Sequence, residues 1–185
     1  MGIRKYENIV LDELNTTLNR IDENAVEEAI RILKQANKVF VLGLGRTGLM
    51  GKSFAMRLMH MGKDAYVVGE TITPNLEDGD VLIVGSGSGE TKGLVQMAEK
   101  AKSYQGRVIA LTATPNSTIT RIADVSIVIQ APTKNKDESD FVSVQPMASL
   151  YEQSILLLCD SMILELMDMA EENNDEMFKR HSNLE

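Results

Sequence analysis

Ser86, Ser88 and Thr91 stand within Gly85-Ser86-Gly87-Ser88-Gly89-Glu90-Thr91, directly after the apolar run Val81-Leu82-Ile83-Val84. Alternating glycines and hydroxyls at the end of a strand suit one task, which is holding an anion. Glycine leaves no Cβ in the way, so backbone N–H groups can turn inward, and the hydroxyls add short donors. If a helix starts at Thr91, its unpaired N–H groups and positive dipole end add to the same site. A second glycine loop, Gly43-Leu44-Gly45-Arg46-Thr47-Gly48, follows an earlier apolar run and supplies a cation, Arg46. It matches G-x-G-x-x-G, and Glu70 stands where a ribose-binding acid would, so a dinucleotide is one reading of that loop alone. The overlapping stretch from Gly45 to Ser53 misses a Walker loop by one residue, because Arg46 stands where glycine is required.

Three residues could move protons. Glu152 is an ionisable group inside an otherwise apolar segment, Ser149-Leu150-Tyr151-Glu152-Gln153-Ser154-Ile155-Leu156-Leu157-Leu158. Desolvation there would make its carboxylate a stronger base, while a position near a helix start would stabilise the anion, and the balance between them is open. A capping or interface glutamate is the plain alternative. His60 ends a helical pattern, where a structural role beside the last carbonyls competes with acid/base work. His181 lies in a polar tail that could reach a neighbouring subunit or simply be a disordered end. The two histidines are the only ones in the chain and have no cysteine partners, so no metal site is expected.

The elements that must position these groups follow from periodicity. Ile9, Leu11, Leu14 and Leu18 mark one helix, and Val26, Ala29, Ile30 and Leu33 a second, capped by Asp22 or Asn24. Five short Val/Ile-rich runs follow, at residues 38–42, 65–68, 81–84, 108–111 and 125–129. The spacing predicts helices over 47–60 and 91–104, with Pro115-Asn116-Ser117 capping a short one before the fifth strand. This is the pattern of an α/β, doubly wound, five-stranded parallel sheet. With the flavodoxin-like order 2-1-3-4-5, ligands bind at the carboxyl ends of strands one and three, and both glycine loops open onto that crevice. A dinucleotide fold needs one such loop; two suit a compact phosphorylated molecule gripped from both sides. Lys52 and Arg57 read as helix-surface charges. Residues 134–140 read as a solvated loop, and 146–169 as a long helix too apolar to face water, buried in the core or against another subunit.

A chain of 185 residues with 43% hydrophobic content suits one domain, residues 1–185, with a helical N-terminal extension 1–36 and a C-terminal tail 171–185. A net charge of −8 argues against a nucleic-acid or anionic membrane surface. The N-terminus carries no signal-like apolar stretch and no run is long enough to span a bilayer, so a soluble, cytoplasmic protein is expected. The single cysteine, Cys159, reads as a small buried hydrophobe.

The two loops together resemble the sugar isomerase (SIS) domain family, and within it the 6-phospho-3-hexuloisomerase branch. The likeness continues through Lys52-Ser53-Phe54-Ala55-Met56-Arg57-Leu58-Met59-His60-Met61-Gly62, Gly69-Glu70-Thr71-Ile72-Thr73-Pro74, Gln145-Pro146-Met147, Ser149-Leu150, Glu152-Gln153, Met177-Phe178 and His181. Thr47 departs from the serine usual in that family and keeps the hydroxyl. The resemblance implies interconversion of D-arabino-hex-3-ulose 6-phosphate and D-fructose 6-phosphate, a step of formaldehyde assimilation by the ribulose monophosphate route. It implies substrate contact at Thr47 and through Ser86, Gly87, Ser88, Gly89, Glu90 and Thr91, proton abstraction by Glu152, and no cofactor. It also implies a homo-oligomer, a tetramer, with active sites near subunit interfaces.

Two other function classes are weighed against it. A non-catalytic sugar-phosphate sensor is open because SIS domains also serve as ligand-binding modules, although the chain has neither a basic patch nor length for a DNA-binding partner domain. A nucleotide-dependent oxidoreductase would lack a separate substrate domain.

Overall fold

The computed structural model describes residues 2–132 and 142–184; the loop expected at 134–140 lies outside the described residues. Two helices come first, α1 (Ile3–Leu18) and α2 (Glu23–Gln35), the second started by Asp22, whose carboxylate accepts the Asn24 N–H. Five strands then alternate with helices: β1 (Lys38–Gly43), α3 (Gly45–His60), β2 (Asp64–Val67), β3 (Val81–Gly85), α4 (Lys92–Ser103), β4 (Arg107–Thr112), α5 (Thr118–Ile122) and β5 (Val125–Val128). The long helix α6 (Ser149–Ala170) and the short α7 (Asn174–Lys179) close the chain.

All strands are parallel, in the order β2-β1-β3-β4-β5. Every residue of β3 is buried, as a central strand covered on both faces requires. Odd and even positions part between two layers. Val39, Val41, Val81 and Ile83 pack under α1, α2, α3 and α6, while Phe40, Leu42, Leu82 and Val84 pack under α4 and α5. The connection from β2 to β3 carries no helix, and its Val68 and Leu76 lie against the second layer.

The differences from expectation have local causes. The helix expected to start at Pro146 starts at Ser149, because Met147 takes a left-handed conformation (φ 59°) that breaks the helical run. The helix expected from Thr47 starts earlier, at Gly45, whose own φ of 57° makes the turn out of the strand. Leu11 is exposed, and α1 buries Leu14 and Thr17 instead. Along α6, Tyr151, Ile155, Cys159 and Met162 are buried, whereas Leu157, Leu164 and Met169 face outward. Burial pushes the Cys159 thiol well above its ordinary range, which leaves it an inert core residue. Among the described residues no helix is long and apolar enough to cross a membrane.

Candidate active site

Gly43 and Gly85 are direct partners in the pairing of β1 with β3, so the two glycine loops leave the sheet side by side. Their glycines are held by contact. A Cβ on Gly48 would stand 2.6 Å from the Gly43 carbonyl oxygen, and one on Gly85 would stand 2.8 Å from Thr47 Cγ2. The close approach of β1, α3 and the β3 loop therefore depends on those hydrogens. Gly89 has φ 64° and a Cβ there would fall 2.0 Å from Ser117 Oγ, so the second loop is pressed against the start of α5.

Between the loops lies a pocket of about 270 Å³, near the lower end of the roughly 300–1,000 Å³ usual for small-molecule sites. Arg46 and Thr47 line it from α3, Ser86, Gly87, Ser88 and Thr91 from the second loop, and Tyr151 and Glu152 from α6, with Ala148 just before that helix. Three helix starts, those of α3, α4 and α6, thus converge on one cavity, and their dipoles favour an anion there. Thr91 is the N-cap of α4, makes no side-chain capping bond and lines the pocket. Ser86 Oγ accepts the Gly89 N–H at 3.2 Å and so keeps its own proton to donate. A larger cleft of about 730 Å³, between residues 73–78 and α4, lies away from both glycine loops.

Arg46 is turned toward the far wall. Its Nη1 lies 3.2 Å from Glu152 Oε2 and donates to Ser149 Oγ at 2.9 Å. Glu152 is only 7% exposed, whereas the arginine side chain is half exposed. A cation beside a buried carboxylate and a loop of hydroxyls thus line one pocket.

The structure gathers Arg46, Thr47, Ser86, Gly87, Ser88, Thr91 and Glu152 and leaves four expected site residues outside the lining. Gly89 shapes the loop from behind. Glu90 turns onto α5, where its carboxylate accepts the Thr118 N–H and hydroxyl, both at 2.7 Å; the Thr118 hydroxyl first, and then its N–H, lower the Glu90 pKa. His60 ends α3, and a helix of 16 residues is about 24 Å long, so the histidine is remote from the Arg46 end. His181 stacks on His60 with ring centroids 5.2 Å apart, and Arg180 donates to the His60 carbonyl at 3.0 Å. The tail is thus docked on its own chain. Glu70, the ribose-binding candidate, pairs with Lys52 at 3.0 Å outside the pocket.

Sequence reasoning missed Ser149, the second partner of Arg46, and Tyr151, whose buried hydroxyl donates to the Leu111 carbonyl at 2.7 Å. Burial pushes the Tyr151 phenol far above its usual range, so it is a fixed neutral donor tying α6 to β4. An aromatic hydroxyl adjacent to the one acid of an apolar segment was the available signal.

Burial, with the charges of Arg57 and His181 behind it, lowers the proton affinity of His60. A histidine held below its unfolded value of about 6.5 contributes stability that is complete above that value and is lost as pH falls through the lowered one. Acidification is therefore expected to loosen α7 and the 178–181 segment from α3. An NMR titration of the His60 ring should show a midpoint below the ordinary value that rises in His181→Ala; a midpoint at or above it in the parent chain would refute the buried, neutral ring.

A doubly wound sheet with two hydroxyl- and glycine-bearing loops across its switch point is the architecture of a sugar isomerase domain. The SIS-domain family model matches residues 32–158, more than half of the chain, and the chain belongs to that family. Along its full length it is 43% identical to the 3-hexulose-6-phosphate isomerase of Bacillus subtilis (strain 168), with both chains completely covered. The enzyme of the same name from Mycobacterium gastri is 39% identical, over 96% of this chain and 88% of its own. A Methanococcus jannaschii protein, whose crystal structure was read as implying 3-hexulose-6-phosphate isomerase function, superposes with a TM-score of 0.84 at 33% identity. That match covers 98% of this chain and 99% of the other.

Proposed function

We propose that this protein interconverts D-arabino-hex-3-ulose 6-phosphate and D-fructose 6-phosphate, the isomerase step of formaldehyde assimilation by the ribulose monophosphate route. The observation that carries the reading is the 3.2 Å pair of Arg46 with buried Glu152 at the open side of the Ser86–Thr91 cradle. The phosphate sits on Ser86, Ser88, Thr91 and the helix starts. Glu152 takes the proton from C2 of the 3-ulose, giving a 2,3-enediolate charged on O3; the O2 hydroxyl proton passes to O3, and Glu152 returns its proton to C3. One carboxylate can serve both carbons, because they are adjacent. Arg46 stabilises the oxygen on which negative charge develops.

Ring opening of fructose 6-phosphate needs an acid/base group, and we assign it to the exposed His181, with the buried His60 stacked behind it, acting across subunits of a homotetramer. Leu49, Met56 and Met59 are exposed on α3. Antiparallel packing of two α3 helices on that face would set the His60 end of one copy beside the Arg46 end of the other. Hybrids assembled from Glu152→Gln and His181→Ala chains should then regain activity that neither variant has alone, and light scattering should report four subunits.

The deciding experiment is incubation with fructose 6-phosphate in D2O. Exchange of the C3 proton, with formation of the 3-ulose phosphate, is the expected result. Exchange at C1 alone would make the protein an aldose–ketose isomerase. Tight binding without exchange would make it a sugar-phosphate sensor.

A further inference from the structure

We infer that Glu13, on α1 and outside the family-matched residues, is a positioning residue for the active site, acting through the strap 142–148 that leads into α6. The inference rests on the isomerase reading above for its kinetic consequence only.

Among the described residues the strap has no regular structure: Val142, Val144 and Met147 are exposed, no strand ladder takes up its backbone groups, and Ala148 at its end enters the core. Among the described residues, the side-chain hydrogen bonds that hold it converge on one carboxylate. Glu13 Oε2 accepts from the Ser143 hydroxyl at 2.6 Å and from Gln145 Nε2 at 2.9 Å, while Oε1 accepts the Val144 N–H at 2.9 Å. Ser143 Oγ in turn accepts the Gln145 N–H at 3.0 Å, which closes a four-bond knot. An ionised carboxylate is suited to this, because it offers two oxygens with several acceptor sites and its hydrogen bonds are the stronger charge-assisted kind.

The knot sits immediately before the groups that matter. Pro146 and the left-handed Met147 make the turn, with the Ser149 N–H donating back to the Pro146 carbonyl at 3.2 Å. Ala148 lines the pocket, Ser149 holds Arg46 and Glu152 follows one turn later. Tyr151 still ties α6 to β4 when the strap is let go, but the backbone at Ala148 and Ser149 loosens, and with it the placement of Glu152 against a bound sugar. A displacement of about 1 Å in a reacting group can slow catalysis by as much as 10²-fold.

The test compares Glu13→Ala and Glu13→Gln with the parent, in the full-length protein. Hydrogen exchange of residues 143–152 should quicken in Glu13→Ala, while exchange of the other α1 amides is unchanged. In the same variant kcat should fall roughly ten- to a hundredfold with KM little altered. Glu13→Gln, which retains one carbonyl acceptor, should recover part of both. A purely structural role for Glu13 would lower the melting temperature and leave kcat of the folded protein intact, and that result overturns the inference. So does unchanged exchange at 149–152, which needs no substrate and therefore decides the question even if the isomerase reading fails. If Glu13→Ala does not fold, Ser143→Ala and Gln145→Ala, each removing part of the knot, should show graded losses in kcat; no loss in either also overturns it.

Discussion

Glu152→Gln is expected to bind fructose 6-phosphate nearly as the parent does and to lose about 10²–10⁴-fold in kcat, the range for removal of a general base. The amide is isosteric and still offers an oxygen to Arg46, so the wall of the pocket stays in place. The cradle of Ser86, Ser88 and Thr91 is built from other elements and keeps its donors. Stability should change by no more than about 1 kcal/mol, because the arginine of the pair is half exposed and solvent screens it. Steady-state kinetics with a thermal melt separates the two effects. A variant with near-normal kcat would remove Glu152 as the proton carrier and pass the role to another group of the pocket.

The second large effect belongs to a residue with no side chain. Gly48→Ala should destabilise the fold by about 3 kcal/mol, which for a chain of this size lowers the melting temperature by roughly 6–12 °C. The added methyl meets backbone, the Gly43 carbonyl oxygen at 2.6 Å and its carbon at 2.9 Å, and backbone cannot rotate away as a side chain can. Relief requires the start of α3 to lift from β1, which carries Arg46 and Thr47 out of the pocket, so KM should rise in whatever fraction remains folded. Gly93→Ala is the control. Nothing lies within 4 Å of its Cβ position in the first turn of α4, and the exchange should stabilise by about 0.4–1 kcal/mol. Equal melting temperatures for the two variants would show that the Gly43–Gly48 approach is not what seats α3.

Helix and strand positions were largely legible because burial imposes periodicity. β3 is apolar throughout since both of its faces are covered, and α2 repeats Ala29, Ile30 and Leu33 since one of its faces is. The order 2-1-3-4-5 is the common one for a doubly wound sheet of five strands, and the strand pairing has that order. Where expectation slipped, as at the start of α6, the cause was a local backbone choice at Met147 that residue type does not announce.

Residue chemistry, in turn, announced capacity but not direction. Glu90 has the same charge and nearly the same setting as a ligand contact, yet it is spent on Thr118. Arg46 was legible as a cation near the anion site, but its pairing with Glu152 spans more than a hundred residues, and side-chain partners at that separation leave no periodic trace. The same holds for Glu13 and the 143–145 strap, and for the stacking of His181 on His60.

What the sequence by itself determined is the doubly wound sheet, the pair of glycine loops opening on one crevice, and an acid on an apolar helix, because local propensity and burial patterns are written residue by residue. Only the tertiary structure decided which donors face the crevice, that three helix starts meet there, and that both histidines lie at the other end of α3. Those facts are distances between elements, and they come into being only when the helices pack on the sheet.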